Sequence, residues 1–224
     1  MPLTTTATRT DQPAAPAPDS QVHIVEDDAV LADGLSLLFA SRGLQTEHHP
    51  SAEAFLAYID HNPEWLRVPT CLLLDVRMRD ISGLELFDRL RARYPALPAP
   101  VIFLTGHADI SMAVDAVKNG AFDFFEKPSN DNRLVDRVIE ALAVAAQRLQ
   151  RATSVEELRA RLERLTARER AVMDLILAGK LNKVIADELG ISVRTVEVHR
   201  ANVFSKMGVR SAVELARLLE ALPK

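Results

Sequence analysis

The chain has 224 residues, enough for one large domain or two modest ones, with charged and hydrophobic fractions ordinary for a globular protein. It has no run of 18 apolar residues and only one cysteine, Cys71, so neither a membrane-spanning helix nor a disulfide framework is expected, and a reducing, cytoplasmic setting fits. Residues 1–150 carry 13 Lys and Arg against 21 Asp and Glu, whereas residues 151–224 carry 14 against 10; the basic back half is the candidate for contact with a polyanion.

Residues 1–20 are rich in Thr, Ala and Pro and lack the apolar core of a secretory signal, which predicts a disordered tail. Val22-His-Ile-Val25 is a short strand, followed by Leu31, Leu35, Leu38 and Phe39 at helical spacing. Residues 45–48 form a weaker strand, and Ser51 caps a helix running to about Ile59. Cys71-Leu-Leu-Leu74 is the strongest strand signal, its thiol read as a small buried hydrophobe. A helix with Leu84, Phe87 and Leu90 on one face follows it. Val101-Ile-Phe-Leu104, a helix over 110–119 and a strand over 122–125 complete five β-α units. Strands that are apolar without alternation are buried on both faces, so the expected class is α/β, a doubly wound parallel five-stranded sheet.

From Asp131 to about Leu165 the chain reads as helix, with Leu134, Val138, Leu142, Ala145, Leu149 and Ala152 in a coiled-coil-like seam. The steps shorten after Ala152, where Ser154 and Glu157 have capping-box spacing, so one slipped helix and two helices are both open. Four compact helices are predicted over 167–178, 181–189, 193–207 and 211–222, with Gly179, Gly190 and Gly208 at their ends.

Polar residues end the strands of the front half. Glu26 and Asp27 follow the first, Asp75 ends the third, Thr105 the fourth, and Lys127 the fifth. In a sheet of order 2-1-3-4-5 those carboxyl ends meet at the switch-point crevice, so five scattered residues converge. Three crowded carboxylates repel one another and call for a cation, and an all-oxygen set suits Mg²⁺. A carboxylate beside that metal can attack a phosphoryl group and become an acyl phosphate, with the metal and a lysine offsetting charge on the transferring group. Thr105 can hydrogen-bond a phosphoryl oxygen.

At these residues, over about 20–145, the chain resembles a two-component response regulator receiver domain. The matching motifs are Val22-His-Ile-Val-Glu-Asp-Asp28, Leu72-Leu-Leu-Asp-Val-Arg-Met78 with Gly83, Phe103-Leu-Thr-Gly106 and Phe124-Phe-Glu-Lys-Pro128. The resemblance implies a flavodoxin-like fold with Asp75 as phospho-acceptor. It also implies Mg²⁺ held by Glu26, Asp27, Asp75 and the main-chain carbonyl of Arg77, and phosphoryl sensing by Thr105, Lys127 and Phe124. Phe124 reads equally well as strand core, and Lys127-Pro128 matches a peptide bond that is cis in the family. Arg79 departs from the pattern, standing where the family usually has proline.

In the back half, Val196, Val203 and Met207 form a core stripe on the third of the four helices. Arg194, Glu197, Val198, Ala201 and Ser205 share another face that suits a major groove. Thr195, His199, Asn202 and Lys206 flank that face, and Lys183 on the preceding helix joins them as phosphate contacts. Residues 166–222 resemble the LuxR/NarL-type helix-turn-helix in Leu165-Thr-Ala-Arg-Glu-Arg170, Asn182-Lys-Val-Ile-Ala186, Ile191-Ser-Val-Arg-Thr-Val-Glu-Val-His-Arg-Ala-Asn202 and Lys206-Met207. The whole layout is similar to that of FixJ-like regulators.

The expected organisation is a tail over 1–20, a receiver over 21–145, a helical linker over 146–163 and an all-α four-helix DNA-binding domain over 164–224. The resemblance implies a sensor histidine kinase, double-stranded DNA and RNA polymerase as partners, and no membrane. A homodimer on phosphorylation is expected through the 110–119 face with the last strand, or through the 134–152 seam. No catalysis is expected beyond the protein's own phosphorylation and dephosphorylation. Two other readings stand beside this one. An aspartyl-nucleophile phosphohydrolase of the haloacid dehalogenase type needs a second Asp where Arg77 stands, and a receiver acting through protein contact alone would not bind DNA.

Overall fold

The computed structural model describes residues 19–106, 110–127 and 131–222; the side chains of residues 110–112 are not among them. The chain divides into two compact units between Leu149 and Gln150. In the first, β1 (Gln21–Val25), α1 (Ala29–Ala40), β2 (Gln45–His49), α2 (Ala52–His61), β3 (Thr70–Asp75), α3 (Gly83–Arg93), β4 (Val101–Thr105), α4 (Ile110–Lys118) and β5 (Asp123–Glu126) alternate along the chain. All strands pair in parallel, in the order β2-β1-β3-β4-β5. This is the expected doubly wound sheet.

Side-chain alternation explains the two layers of helices. Val22, Ile24, Cys71, Leu73, Ile102 and Leu104 face one side and bury against α1 and α5 (Asp131–Glu163). Val25, Leu72, Leu74, Val101 and Phe103 face the other and bury against Phe55 and Ile59 of α2 and Leu86, Phe87 and Leu90 of α3. Three helices begin at side chains that satisfy otherwise orphan amides: Asp28 caps α1, Ser51 caps α2 and Ser82 caps α3. Cys71 is fully buried in β3, and burial pushes its thiol up to about 12, so it is the inert hydrophobe expected.

Helix α5 is continuous over 33 residues, which resolves the choice between one helix and two. Ser154 does not cap a new helix; its hydroxyl donates back to the Gln150 carbonyl, one turn earlier. The seam is corrected as well. Leu134, Val138, Leu142 and Ala145 are buried in the first unit, the first three in the layer that covers the sheet, while Leu149 is half-buried and Ala152 exposed. Packing on a sheet needs the same i, i+3, i+4 spacing as a coiled coil, so the sequence pattern alone cannot separate them.

The second unit is helical: α6 (Ala167–Leu177), α7 (Asn182–Leu189), α8 (Val193–Met207) and α9 (Ala212–Glu220). Val172 and Ile176 of α6, Ile185 of α7, Val196, Val203 and Met207 of α8 and Leu215 of α9 form its core. The turn from α7 into α8 depends on Gly190, whose φ of +63° is a left-handed cap that a side chain would strain. No described helix is long and apolar enough to cross a membrane. The predicted tail, apart from its last two residues, and the Lys127–Pro128 bond lie outside the described residues.

Candidate functional site

Strand register brings the strand-end residues together. Val25 pairs with Leu74 and Asp75 with Leu104, so Glu26, one step past β1, lies beside Asp75 at the end of β3. Thr105 pairs with Glu126, and the Lys127 amide donates to the Thr105 carbonyl at 2.7 Å. Lys127 then reaches back across the sheet, its Nζ lying 2.6 Å from Glu26 Oε2 and 2.9 Å from Asp75 Oδ1. Glu26, Asp75 and Thr105 are buried, while Asp27 is exposed at the rim. One oxygen from each of Glu26, Asp27 and Asp75 lies within 4.8 Å of the other two.

The electrostatics are those of an under-neutralised pocket. Burial raises the Glu26 carboxyl above its usual range; the Lys127 hydrogen bond opposes this and the Asp75 charge adds to it. Burial alone would lower Lys127, but its bonds to Glu26 and Asp75 win and hold it above its usual value. Three acids therefore face one firmly protonated lysine. The third acid of the Glu26-Asp-Asp28 run plays a different part, since Asp28 accepts the Val30 and Leu31 amides at the start of α1.

Arg77 is exposed, two residues past Asp75 in the β3–α3 loop. Arg79, nearly all exposed, extends its Nε to 3.7 Å from Asp27 Oδ2. Phe124 is half-buried and packs on the α2/α3 side of the sheet, 6.2 Å from the Phe103 ring. Gly83 has a structural reason that the motif did not reveal. A Cβ there would sit 2.1 Å from the Asp75 carbonyl oxygen, and the Gly83 amide donates to the Val76 carbonyl. The first residue of α3 thus rests directly on the backbone of Asp75.

In the second unit, α8 buries Val196, Val203 and Met207 and leaves Arg194, Glu197, Val198, Ala201, Asn202 and Ser205 exposed, as expected. Lys183 is exposed on α7. Thr195 is half-buried, with its hydroxyl 2.8 Å from that of the cap residue Ser192. His199 is also half-buried, and its Nδ1 has no hydrogen-bond partner among the described residues.

Lys206 has partners inside the unit: its Nζ bonds Glu169 Oε2 at 2.6 Å and the Arg164 carbonyl at 3.1 Å, so its charge ties α8 to the start of α6. Glu169 also closes a capping box with Thr166, and the Lys206 hydrogen bond, followed by the Thr166 amide, lowers its carboxyl to about 2. The capping spacing was readable in Thr166-Ala-Arg-Glu169, but a partner 37 residues away was not.

Comparison with known proteins agrees with this division. Residues 22–139 match the response regulator receiver domain family, and residues 163–219 match the luxR family of bacterial regulatory proteins. The chain is 50% identical over 198 residues to the C4-dicarboxylate transport transcriptional regulatory protein DctR of Rhodobacter capsulatus, covering 88% of this chain and 98% of that one. It is 41% identical over 200 residues to the transcriptional regulatory protein FixJ of Azorhizobium caulinodans, covering 88% and 90%. Among solved structures, the response regulator StyR is similar at a TM-score of 0.80 and 37% identity, covering 90% of this chain and 98% of that one. Relatives matched along nearly their whole length share both units in this order, and the chain accordingly belongs to the two-component response regulators of FixJ-like layout, in which a receiver domain precedes a LuxR-type DNA-binding domain.

Proposed function

We propose that Asp75 accepts a phosphoryl group from the phosphohistidine of a sensor kinase and that this event controls DNA binding by the second unit. The observation that carries the reading is the Lys127 ammonium bridging Glu26 and Asp75 beside the Asp27 carboxylate. An Asp75 carboxylate oxygen forms the new P–O bond while the P–N bond to the kinase imidazole breaks, its electron pair staying on nitrogen. Lys127 is already in reach of that oxygen and exchanges its carboxylate partner for a phosphoryl oxygen. Glu26, Asp27 and Asp75 would hold Mg²⁺, together with the main-chain carbonyl of Arg77, and the ion would offset charge on the transferring group. The buried acids and their single lysine fit that role.

Thr105 turns toward the phosphoryl group, and Phe124 follows into the space it leaves. That repacks the face of α4 and β5, where Val114 and Val117 are exposed, and favours a homodimer. With the 134–145 seam buried, this face is the dimer surface retained. The paired second units then read half-sites in double-stranded DNA through Arg194, Glu197, Val198 and Ala201, with Lys183, Thr195, His199 and Asn202 on phosphates, in the cytoplasm and in reach of RNA polymerase. The proposed organisation remains a tail over 1–20, receiver over 21–145, linker over 146–163 and DNA-binding domain over 164–224. The test is incubation of wild type and Asp75→Asn with a small phosphodonor and Mg²⁺, followed by sedimentation and DNA titration. Acid-labile phosphate, tighter self-association and tighter DNA binding are expected in wild type only. Phosphate on the variant refutes Asp75 as acceptor, and tighter DNA binding by a monomer refutes dimerisation as the switch.

A further inference from the structure

Away from the acidic pocket, the sheet edge carries a second cluster. β2 is an edge strand paired only with β1, and the register sets His23 opposite Glu47 and Val25 opposite His49. His23, Glu47 and His49 therefore project to the same side of the sheet, toward α2. Nδ1 of His23 lies 2.9 Å from Nε2 of His49 and 3.8 Å from Glu47 Oε2, and one ligating atom from each of the three residues lies within 4.8 Å of the others. Both imidazoles are buried, whereas the Glu47 side chain is 39% exposed and opens the cluster to solvent. Phe55, Tyr58 and Trp65 wall the other sides, with ring centroids 5.2–6.0 Å from His23.

We propose that His23, His49 and Glu47 form a binding site for a borderline divalent transition-metal ion of the Zn²⁺ class. The donor set is two imidazole nitrogens and one carboxylate, the combination that zinc accepts with a fourth position open. With Zn–N bonds of about 2.0–2.1 Å, two ligands of a tetrahedral ion stand about 3.3 Å apart, between the two separations found here. Each of those two separations is within about half an ångström of that value, and the third is no longer than 4.8 Å.

The hydrogen bonding inside the cluster bears on the site as well. Without metal, the close N···N contact needs one ring to place its proton there, and His23 Nε2 has no hydrogen-bond partner among the described residues. His23 Nε2 lacks a described partner in either tautomer and with a metal bound, so what bears on the site is that the two inner nitrogens are close enough to share one occupant. An ion between the rings takes the lone pairs of His23 Nδ1 and His49 Nε2, and the shared proton moves to the outer nitrogen of its own ring. Glu47 offsets one of the ion's two charges and the open fourth position is left for a water or an anion; its carboxylate faces the Tyr58 hydroxyl and, after burial, is what raises the Tyr58 ionisation.

The test uses untagged full-length protein titrated with Zn²⁺ in competition with a chromophoric chelator. Mg²⁺ is present in excess to occupy the oxygen-only pocket. Wild type and Asp27→Ala are expected to bind one Zn²⁺ alike. His49→Gln should lose roughly 100-fold in affinity and Glu47→Gln roughly tenfold or more, since even groups that merely support a ligand are worth that much. Thermal unfolding of each apo protein checks folding, and Zn²⁺ should raise the melting temperature of wild type but not of His49→Gln. Equal Zn²⁺ affinity in wild type, His49→Gln and Glu47→Gln would overturn the site, as would the absence of binding by wild type. Loss of binding in Asp27→Ala alone would move the ion to the acidic pocket.

Discussion

The contact between Gly83 and Asp75 turns a packing detail into a quantitative expectation. In Gly83→Ala the new methyl would lie 2.1 Å from the Asp75 carbonyl oxygen, where ordinary contact begins at 3.4 Å, so one side must give by about 1.3 Å. The obstacle is backbone rather than the end of a flexible side chain, and the Gly83 amide is also bonded to the Val76 carbonyl. Overpacking of this kind costs roughly 1–3 kcal/mol, offset by the 0.5–1 kcal/mol or so that alanine gains over glycine in a helix. The receiver should therefore melt a few degrees lower. The larger effect falls on chemistry, because misplacing a reacting group by about 1 Å costs on the order of 100-fold in rate. Initial rates of phosphorylation by a small phosphodonor, read beside thermal unfolding, separate the two effects. A wild-type rate with a lowered melting temperature would mean that α3 moves and Asp75 does not. A wild-type rate with an unchanged melting temperature would refute the reasoning outright.

Asp27→Ala removes one of three facing carboxylates, so Mg²⁺ affinity should fall, measurable by calorimetry, while the metal-free protein keeps or gains thermal stability. Glu169 is held near 2 against its usual 4.5; a carboxyl so depressed adds stability above about pH 4.5 and loses it as pH falls toward 2. With Lys206 partly exposed, that contribution is about 1–3 kcal/mol, and Glu169→Gln should flatten the acid limb of unfolding monitored on the second unit. Lys183→Ala should weaken binding to all DNA sequences alike and lower the salt slope by about one, seen in titrations at several salt concentrations.

Much of the fold was legible because burial on both faces of a sheet leaves a plain mark. Leu72, Leu73 and Leu74 do not alternate, and such a strand has no polar side to show. The convergence of the acidic pocket was legible because parallel topology converts strand ends into neighbours, which the register of Val25 with Leu74 and Asp75 with Leu104 bears out. Other features escaped for reasons of physics. The 134–145 seam looked like a coiled coil because one-sided helix packing has the same period whatever the partner. The bond from Lys206 to Glu169 left no mark, because the two lie on different helices. His23 and His49 are 26 residues apart and meet only through strand pairing. Close approaches such as Gly83 to Asp75 need coordinates, since a motif glycine does not say what it makes room for.

The buried thiol of β3 has a practical consequence. Cys71 is the chain's sole cysteine, fully enclosed, with its ionisation pushed up to about 12, so alkylating reagents find neither access nor thiolate in the folded state. Labelling must wait for the central strand to open, which makes its rate a native reporter of how often the segment ending in Asp75 comes apart. Ligands that close the acidic pocket should lengthen that wait. Phosphodonor, Mg²⁺ and substitutions at Gly83 can therefore be ranked by one alkylation time course on the unmodified protein.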